Sequence, residues 1–422
     1  MASQYNRLMA TLGGGRSPRF RPIVWFEDDN IPVSGGQLLG PQQFTPNKKI
    51  TFTGALWGIQ IEVRFHVRVA IGGSIASPAL TLHSEFPLGF IDRIKLHGAN
   101  SKFQVSDDLH NINGNSLFRI MNMWKAAVPT TCKVSRNGGA FAQVIDQGGV
   151  ATTAPTNTAT TNTDYDVICV YTLPVVPTGI KEWLQFCYNP SDWSDLAIYA
   201  YIADQTGLFD NAIQANVTTT FGAIQGNSDV GGAAAAAGSP LIRFSLIELS
   251  VADNANAKAA HQRGGIGTKL LYRTFQNITT PLESVNQNAL LARLSTADLP
   301  YIRYVLKTGN QPVAVPSNGV ASVIDNLNNS EILVANPRRK QSSVRTYMDM
   351  DSVRDFFQTA HGGPIPTGYL MEDFCVSGSL RDAFDVSGLT SDDLVIQASV
   401  AQGTGALATQ IGELVEERVK TY

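Results

Sequence analysis

The sequence is poor in the residues that usually announce chemistry. It has four cysteines in 422 residues, Cys132, Cys169, Cys187 and Cys375, far apart and in no CxxC pair. That spacing argues against a zinc site and against a disulfide framework, and predicts buried, reduced thiols. The six histidines (His66, His83, His97, His110, His261, His361) form no H-x-H or H-x3-H pair, so neither a metal site nor a cofactor is expected. No apolar run reaches the roughly 18 residues of a membrane-spanning helix. The opening stretch MASQYNRLMATLGGGRSPRFRP lacks the apolar core of a signal peptide, so synthesis in a cytoplasm is expected. Charge is also scarce: 16% of residues are charged and the net charge is −3, which gives no overall pull toward nucleic acid or an anionic membrane.

Catalytic signatures are missing too. HGGP (361–364) has no G-x-S-x-G nucleophile elbow to accompany it and reads as a helix stop. GGIGTK (264–269) lacks the spacing of a phosphate-binding loop and reads as a linker. Adjacent acids at Asp28-Asp29, Asp107-Asp108 and Asp392-Asp393 read as solvated turns rather than a glycosidase pair, and NPRRKQ (336–341) as a solvated basic loop. No catalytic residue is expected, and the chain is not read as an enzyme.

What is present is β-structure. With 43% hydrophobic residues the chain can bury a sizeable core. In GIQIEVRFHVRVA, Ile59, Ile61, Val63, Phe65, Val67 and Val69 alternate with Gln60, Glu62, Arg64, His66 and Arg68. A period of two marks a half-buried antiparallel strand, with the first set inward and the second outward. Similar segments recur at about 49–57, 88–97, 167–173, 195–203 and 241–251, then at 269–275, 301–307, 332–335, 343–348, 369–375, 393–401 and 409–419. Helices are expected at only two places, 116–128, capped by Asn115 or Ser116, and 351–360. Residues 1–22 carry Arg7, Arg16, Arg19 and Arg21 around a GGG triplet with no acid, which predicts a flexible basic arm. The stretches 134–164 and 208–240, containing ATTAPTNTATTNTD and SDVGGAAAAAGSP, read as long exposed loops.

The chain also repeats itself. SDLAIYAYIADQTGL (194–208) matches DDLVIQASVAQGTGA (392–406) through D-L-x-I-x-A-x-[IV]-A-x-x-T-G. Upstream, VPTG (176–179) with Phe186-Cys187 pairs with IPTG (365–368) with Phe374-Cys375, and FIDRIKLHG (90–98) weakly resembles YIRYVLKTG (301–309). A period this long is a duplicated domain rather than a solenoid. We expect an arm at 1–22, a first sandwich over 23–252, a linker at 253–267 and a second sandwich over 268–422. Leu196, Ile198, Ala200 and Ile202, with Leu394, Ile396, Ala398 and Val400, are expected to pack the two interiors.

Two all-β units in tandem, each an antiparallel sandwich with a short helix, predict two tandem jelly-roll β-sandwiches. With the basic arm and the tall loops, this layout resembles the double jelly-roll major capsid proteins of tailless, membrane-containing icosahedral viruses, bacteriophages among them. The resemblance covers nearly the whole chain and rests on architecture. It implies a capsid protein located in the virion shell, assembling with itself as homotrimeric, pseudo-hexagonal capsomers. It further implies contacts with minor capsid or vertex proteins, and an interior-facing arm (Arg7, Arg16, Arg19, Arg21) against internal membrane lipid, with no sequence-specific nucleic acid. Two other readings stand beside it: a carbohydrate-binding or glycan-hydrolysing β-sandwich protein, and a minor virion spike or vertex protein.

Overall fold

The computed structural model describes residues 20–28, 31, 33–34, 37–38, 42–46, 48–71, 87–123, 131–143, 146–147, 150–151, 163–203, 208, 217–225, 231–232, 238–249, 267–281, 288–293, 299–312, 322–323, 327–334, 369–386, 394–400 and 407–421. The expected helix at 351–360, the strand at 343–348, IPTG, HGGP and NPRRKQ lie outside these residues, as do Arg7, Arg16 and Arg19.

The first set of strands is β1 (Phe20–Asp28), β2 (Gln42–Phe44), β3 (Ala55–Ile71), β4 (Ile91–Asn100), β5 (Val105–Ile112), β6 (Thr131–Arg136), β7 (Thr163–Pro174), β8 (Trp193–Ile202), β9 (Val217–Gly222) and β10 (Leu241–Leu249), with one helix, α1 (Gly114–Met123), after β5. The second set is β11 (Lys269–Pro281), β12 (Asn288–Arg293), β13 (Tyr301–Pro312), β14 (Leu327–Val334), β15 (Tyr369–Asp373), β16 (Leu394–Val400) and β17 (Leu407–Thr421). In the first set one sheet runs β1-β10-β3-β7-β6, with β9 also on β3, and the other runs β2-β8-β4-β5. In the second set the orders are β11-β17-β13-β15 and β12-β16-β14. Both sets follow one rule: first, last, third and sixth strand of the eight-strand pattern in one sheet, second, seventh and fourth in the other. That is the jelly-roll order, and the chain is two jelly-roll β-sandwiches in tandem.

The alternation in β3 explains the first core. Ile59, Ile61, Val63, Phe65, Val67 and Val69 are all fully buried, each contributing about 1.5–3 kcal/mol by leaving water. On β8, Leu196, Ile198, Ala200 and Ile202 are buried, and Ile198 sits opposite Leu96 of β4. Helix α1 starts at Gly114, two residues earlier than its expected start, because the Leu117 N–H already bonds to the Asn113 carbonyl at 2.9 Å. It buries Leu117, Phe118, Ile120 and Met121.

Several expectations are corrected. Residues 20–22 belong to β1, with Arg21 in register with Glu248, so Arg21 is not part of a free arm. Residues 49–54 are not strand; β3 starts at Ala55. The stretch 208–240 contains β9, zipped onto β3, and 134–164 contains the end of β6 and the start of β7, so neither is wholly loop. Cys132 and Cys169 face each other across the β6–β7 ladder, Cα atoms 4.2 Å apart, and are joined as a disulfide; only Cys187 and Cys375 are free, both buried. Asp107-Asp108 lies within β5 rather than in a turn, with Asp108 on Lys95 at 3.2 Å and His97 at 3.1 Å.

Two of the three phrase matches also change partners. Leu56 pairs with Tyr188 by an isolated bridge, and Tyr301 with Phe384 in the same way. The register then skips Trp57 against β10 and Ile302 against β17, and the carbonyls of these two residues accept the N–H of Val175 and Phe374. β3 is therefore the counterpart of β13, and FIDRIKLHG, on β4, is not. Counting on from Val175 and Phe374, the loop Pro174–Gly179 matches Asp373–Gly378, with Gly179 (φ 76°) and Gly378 (φ 73°) both in the left-handed region. VPTG follows β7 whereas IPTG precedes β15, and Phe374-Cys375 corresponds to Val175-Val176 rather than Phe186-Cys187. The DLxIxA match stands: β8 and β16 each lie between the second and fourth strands of their set.

Candidate functional site

The densest polar cluster lies where the two sandwiches meet. β11 is buried on both faces, through Leu270, Leu271, Tyr272 and Arg273, and both its edges are engaged, by the β17 ladder and by a parallel bridge from Arg273 to His110 of β5. Arg273 and Arg303 are fully buried, and Glu417 is 1% exposed. Arg273 Nε donates to Glu417 Oε1 at 2.6 Å. Arg303 Nε meets Glu417 Oε2 at 3.0 Å as an ion pair whose angle falls short of a hydrogen bond. One carboxylate thus carries one guanidinium on each oxygen.

Both guanidiniums also donate to the first sandwich. Arg273 donates to the Pro174 carbonyl and, at 3.1 Å, to that of Val176. Arg303 donates to the Thr178 carbonyl at 2.6 Å and to Thr178 Oγ1 at 3.3 Å. Pro174 closes the β7 ladder opposite Gly58 and the chain then leaves the sheet, so these donors supply partners for buried carbonyls of a segment that no strand continues to pair. Burial alone pushes the Glu417 carboxyl up; the Arg273 and Arg303 charges outweigh it and hold the group below its ordinary value. His110 is held well below its ordinary value, by burial first and Arg273 second. Beside the triad, Tyr301 Oη and Thr274 Oγ1 donate to Glu416 at 2.7 and 3.1 Å. Further bonds cross the seam: Asn113 Nδ2 to Glu413 at 3.1 Å, Lys181 N–H to the Gly378 carbonyl at 2.8 Å, and Ser379 Oγ to Glu182 at 3.1 Å. Chemically this arrangement is a joint: no part of the triad is open to a substrate.

A second cluster breaks the β3 pattern. His66, expected on the solvent side, is fully buried. Its Nδ1 lies 2.7 Å from Asp166 Oδ1 and its Nε2 3.1 Å from Asp164 Oδ1, both on β7. Arg68 Nε stands 3.6 Å from Asp164. The other Asp166 oxygen accepts the Gly232 N–H, and the Gly231 N–H donates to the Gly139 carbonyl at 3.0 Å. A Cβ on Gly231 would collide with Ser135 Oγ and Asp166, so only glycine lets this strap lie so close to those two side chains. Ser135 Oγ donates at 2.6 Å to the Gly139 carbonyl, the same acceptor that takes the Gly231 N–H. Among the described residues no hydroxyl or thiol is hydrogen-bonded to the His66 ring, and Asp166 together with the Gly139 carbonyl pins residues 231–232 to the sheet.

Of the residues singled out from the sequence, Leu196, Ile198, Ala200 and Ile202 come together in the first interior. Leu394, Ile396, Ala398 and Val400 lie on β16, opposite β12 and β14. The seam triad and the His66 cluster were not foreseen. The DxD pair at 164–166 was the local signal of the His66 cluster, and its partner lies about one hundred residues away. Trp25, Trp57, Trp183 and Trp193 sit on separate elements. Among the described residues no group of three or more His, Cys, Asp or Glu side chains has the geometry to hold a metal ion, and no described helix is long and apolar enough to cross a membrane.

No family model matches the chain, and no curated protein matches it by sequence. Solved structures do. The major capsid protein of Sulfolobus turreted icosahedral virus (STIV) is similar over 95% of this chain and 95% of its own, with a TM-score of 0.53 and 9% identity. The Faustovirus major capsid protein matches over 96% of this chain and 90% of its own, at a TM-score of 0.49 and 9% identity. The major capsid protein P2 of bacteriophage PM2 matches over 96% and 98%, at 0.48 and 9% identity. At this identity the likeness to the STIV protein is one of fold, a double jelly roll matched over 95% of each chain.

Proposed function

We propose that this chain is a major capsid protein, located in the virion, whose work is self-assembly. Three copies form a capsomer of six similar sandwiches with a pseudo-hexagonal outline, and these tile an icosahedral shell. The observation that carries the reading is the jelly-roll strand order written twice in one chain, with the two units joined by a buried Arg–Glu–Arg seam. A protein that bound a small ligand would need one sandwich and an open groove. A tile needs two units held at a fixed angle, and the seam supplies that. The full-length fold match to the STIV capsid protein supports the same conclusion.

Within this reading the first sandwich ends with β10 and the second begins with β11, the intervening residues serving as linker. Leu394, Ile396, Ala398 and Val400 are assigned to the second interior from the repeat and from the place of β16 in its sheet. Minor capsid or vertex proteins and, through the arm, membrane lipid are the remaining proposed partners. The test is the mass of purified protein by light scattering, with negative-stain imaging of the same fraction. We expect three times 45.4 kDa and a hexagonal outline. A monodisperse single-chain species at high concentration would overturn the proposal.

A further inference from the structure

His110 lies on the bridge by which β11 meets β5 of the first sandwich, in register with Arg273. Its ring is fully buried, and Nδ1 has no hydrogen-bond partner among the described residues. Nε2 lies 3.4 Å from Tyr188 Oη. Burial pushes the Tyr188 phenol up, so it keeps its proton and donates to Nε2, which leaves the single proton of a neutral imidazole on Nδ1. From β11 the ring faces Arg273, whose guanidinium is already engaged by Glu417 of β17 and by the Pro174 and Val176 carbonyls. Tyr272 alternates to the other face of β11, where Asp107 and Arg418 act on it. From β4 comes Leu96, directly opposite His110. Lys95 and His97, on either side of Leu96, both contact Asp108, so their charges are engaged with one another. Among the described residues no carboxylate pairs with the His110 ring.

A second proton on this ring has no counter-charge to meet. It would set a positive charge in a dry site beside Arg273, and Tyr188 would lose its acceptor. Arg273 cannot make room without leaving Glu417 and the loop after β7. The strand contact can yield. β11 is held to β17 by a ladder over Lys269–Pro281 and β5 to β4 by a ladder over Val105–Ile112, whereas β5 and β11 meet at a single bridged pair. We propose that His110 makes the seam an acid-released latch: the joint closes on the neutral ring and opens in mild acid as the ring takes up a proton, each sandwich keeping its own strands. The folded chain holds His110 well below its ordinary value, by burial first and Arg273 second. The cost of closure is therefore absent above the unfolded value of about 6.5 and grows as pH falls beneath it, until the lower folded value is passed. The Glu417 response begins only below about 4.3, so the two acid effects occupy separate windows.

Two thiols report on the joint. Cys187 precedes Tyr188, and Cys375 sits in the loop whose Gly378 carbonyl accepts the Lys181 N–H; both are buried. The experiment follows their labelling in the full native chain by a dipyridyl disulfide, a reagent that stays reactive toward thiols in acid, for wild type, H110F and H110Q. Comparing wild type with a variant at each pH cancels the pH dependence of the reagent and of the other histidines. We expect the ratio of wild-type to variant rate to rise about tenfold between about pH 7 and 5.5, the response to one proton taken up on opening, while the strand signal in circular dichroism stays constant. Neither variant can take up that proton, so either one carries the comparison if the other misfolds, and a constant difference in stability leaves the trend unaltered. If neither folds, the wild-type rate divided by that of the denatured chain at each pH must show the same rise, and a flat quotient overturns the latch. A ratio constant within about twofold over that range also overturns it. So does labelling that rises only as the strand signal is lost, since the chain would then be unfolding as a whole. The joint lies within one chain, so each result bears on the latch and not on assembly.

Discussion

Glu417→Gln isolates the seam. The substitution keeps the side chain's shape and removes one charge from between two fully buried guanidiniums, which lie 2.6 and 3.0 Å from its oxygens. Removing one partner of a buried ion pair costs about 3–5 kcal/mol, because the remaining charge stays desolvated and uncompensated. Here two arginines are left, and neither can swing to water without abandoning the carbonyls of Pro174, Val176 and Thr178. We therefore expect the upper part of that range. For units of this size it corresponds to a fall of about 10 °C or more in unfolding midpoint at pH 7. The pH dependence gives a second readout. The Glu417 carboxyl is held below its ordinary value in the folded chain. Its contribution is thus complete above the unfolded value of about 4.3 and is lost as pH falls through the lower folded value. Wild-type stability should drop in that acid window, and the Gln variant should lack this component. Thermal unfolding at pH 7, with an acid series to pH 2.5, measures both. A variant within 1 kcal/mol of wild type at pH 7, or one with an unchanged acid limb, would refute the view that the triad holds the sandwiches together.

Other consequences are simpler to state. Ile198→Asp puts a charge at a site 1% exposed and should abolish soluble protein, and Ile396→Asp should do the same if β16 repeats the role of β8; wild-type-like soluble yield from either would break that assignment. Asp166→Asn weakens the contacts to His66 and to the Gly232 N–H and should cost about 1.5–3 kcal/mol in chemical denaturation, with a change under 0.5 kcal/mol counting against the pinned strap. Denatured, unreduced protein should titrate two thiols and reduced protein four; four without reductant would show that Cys132 and Cys169 are not joined. Native protein should resist thiol reagents at neutral pH, because burial first and Asp373 second push the Cys375 thiol up to about 12, and burial pushes Cys187 higher still.

What the sequence made legible was whatever local periodicity controls. The β3 alternation and the β8/β16 repeat were readable because a strand in the middle of a sheet imposes period-two burial on its own residues. His66 was misread by the same logic. Polarity alone cannot separate a solvated imidazole from one enclosed by carboxylates on a neighbouring strand. The disulfide was missed for an equivalent reason: Cys132 and Cys169 become neighbours only through the β6–β7 register. Short or polar strands such as β2, β5 and β9 carry too little alternation to be seen. The VPTG match went astray because the two copies share a backbone turn at Gly179 and Gly378, while the side chains around it differ, Pro177 against Val376.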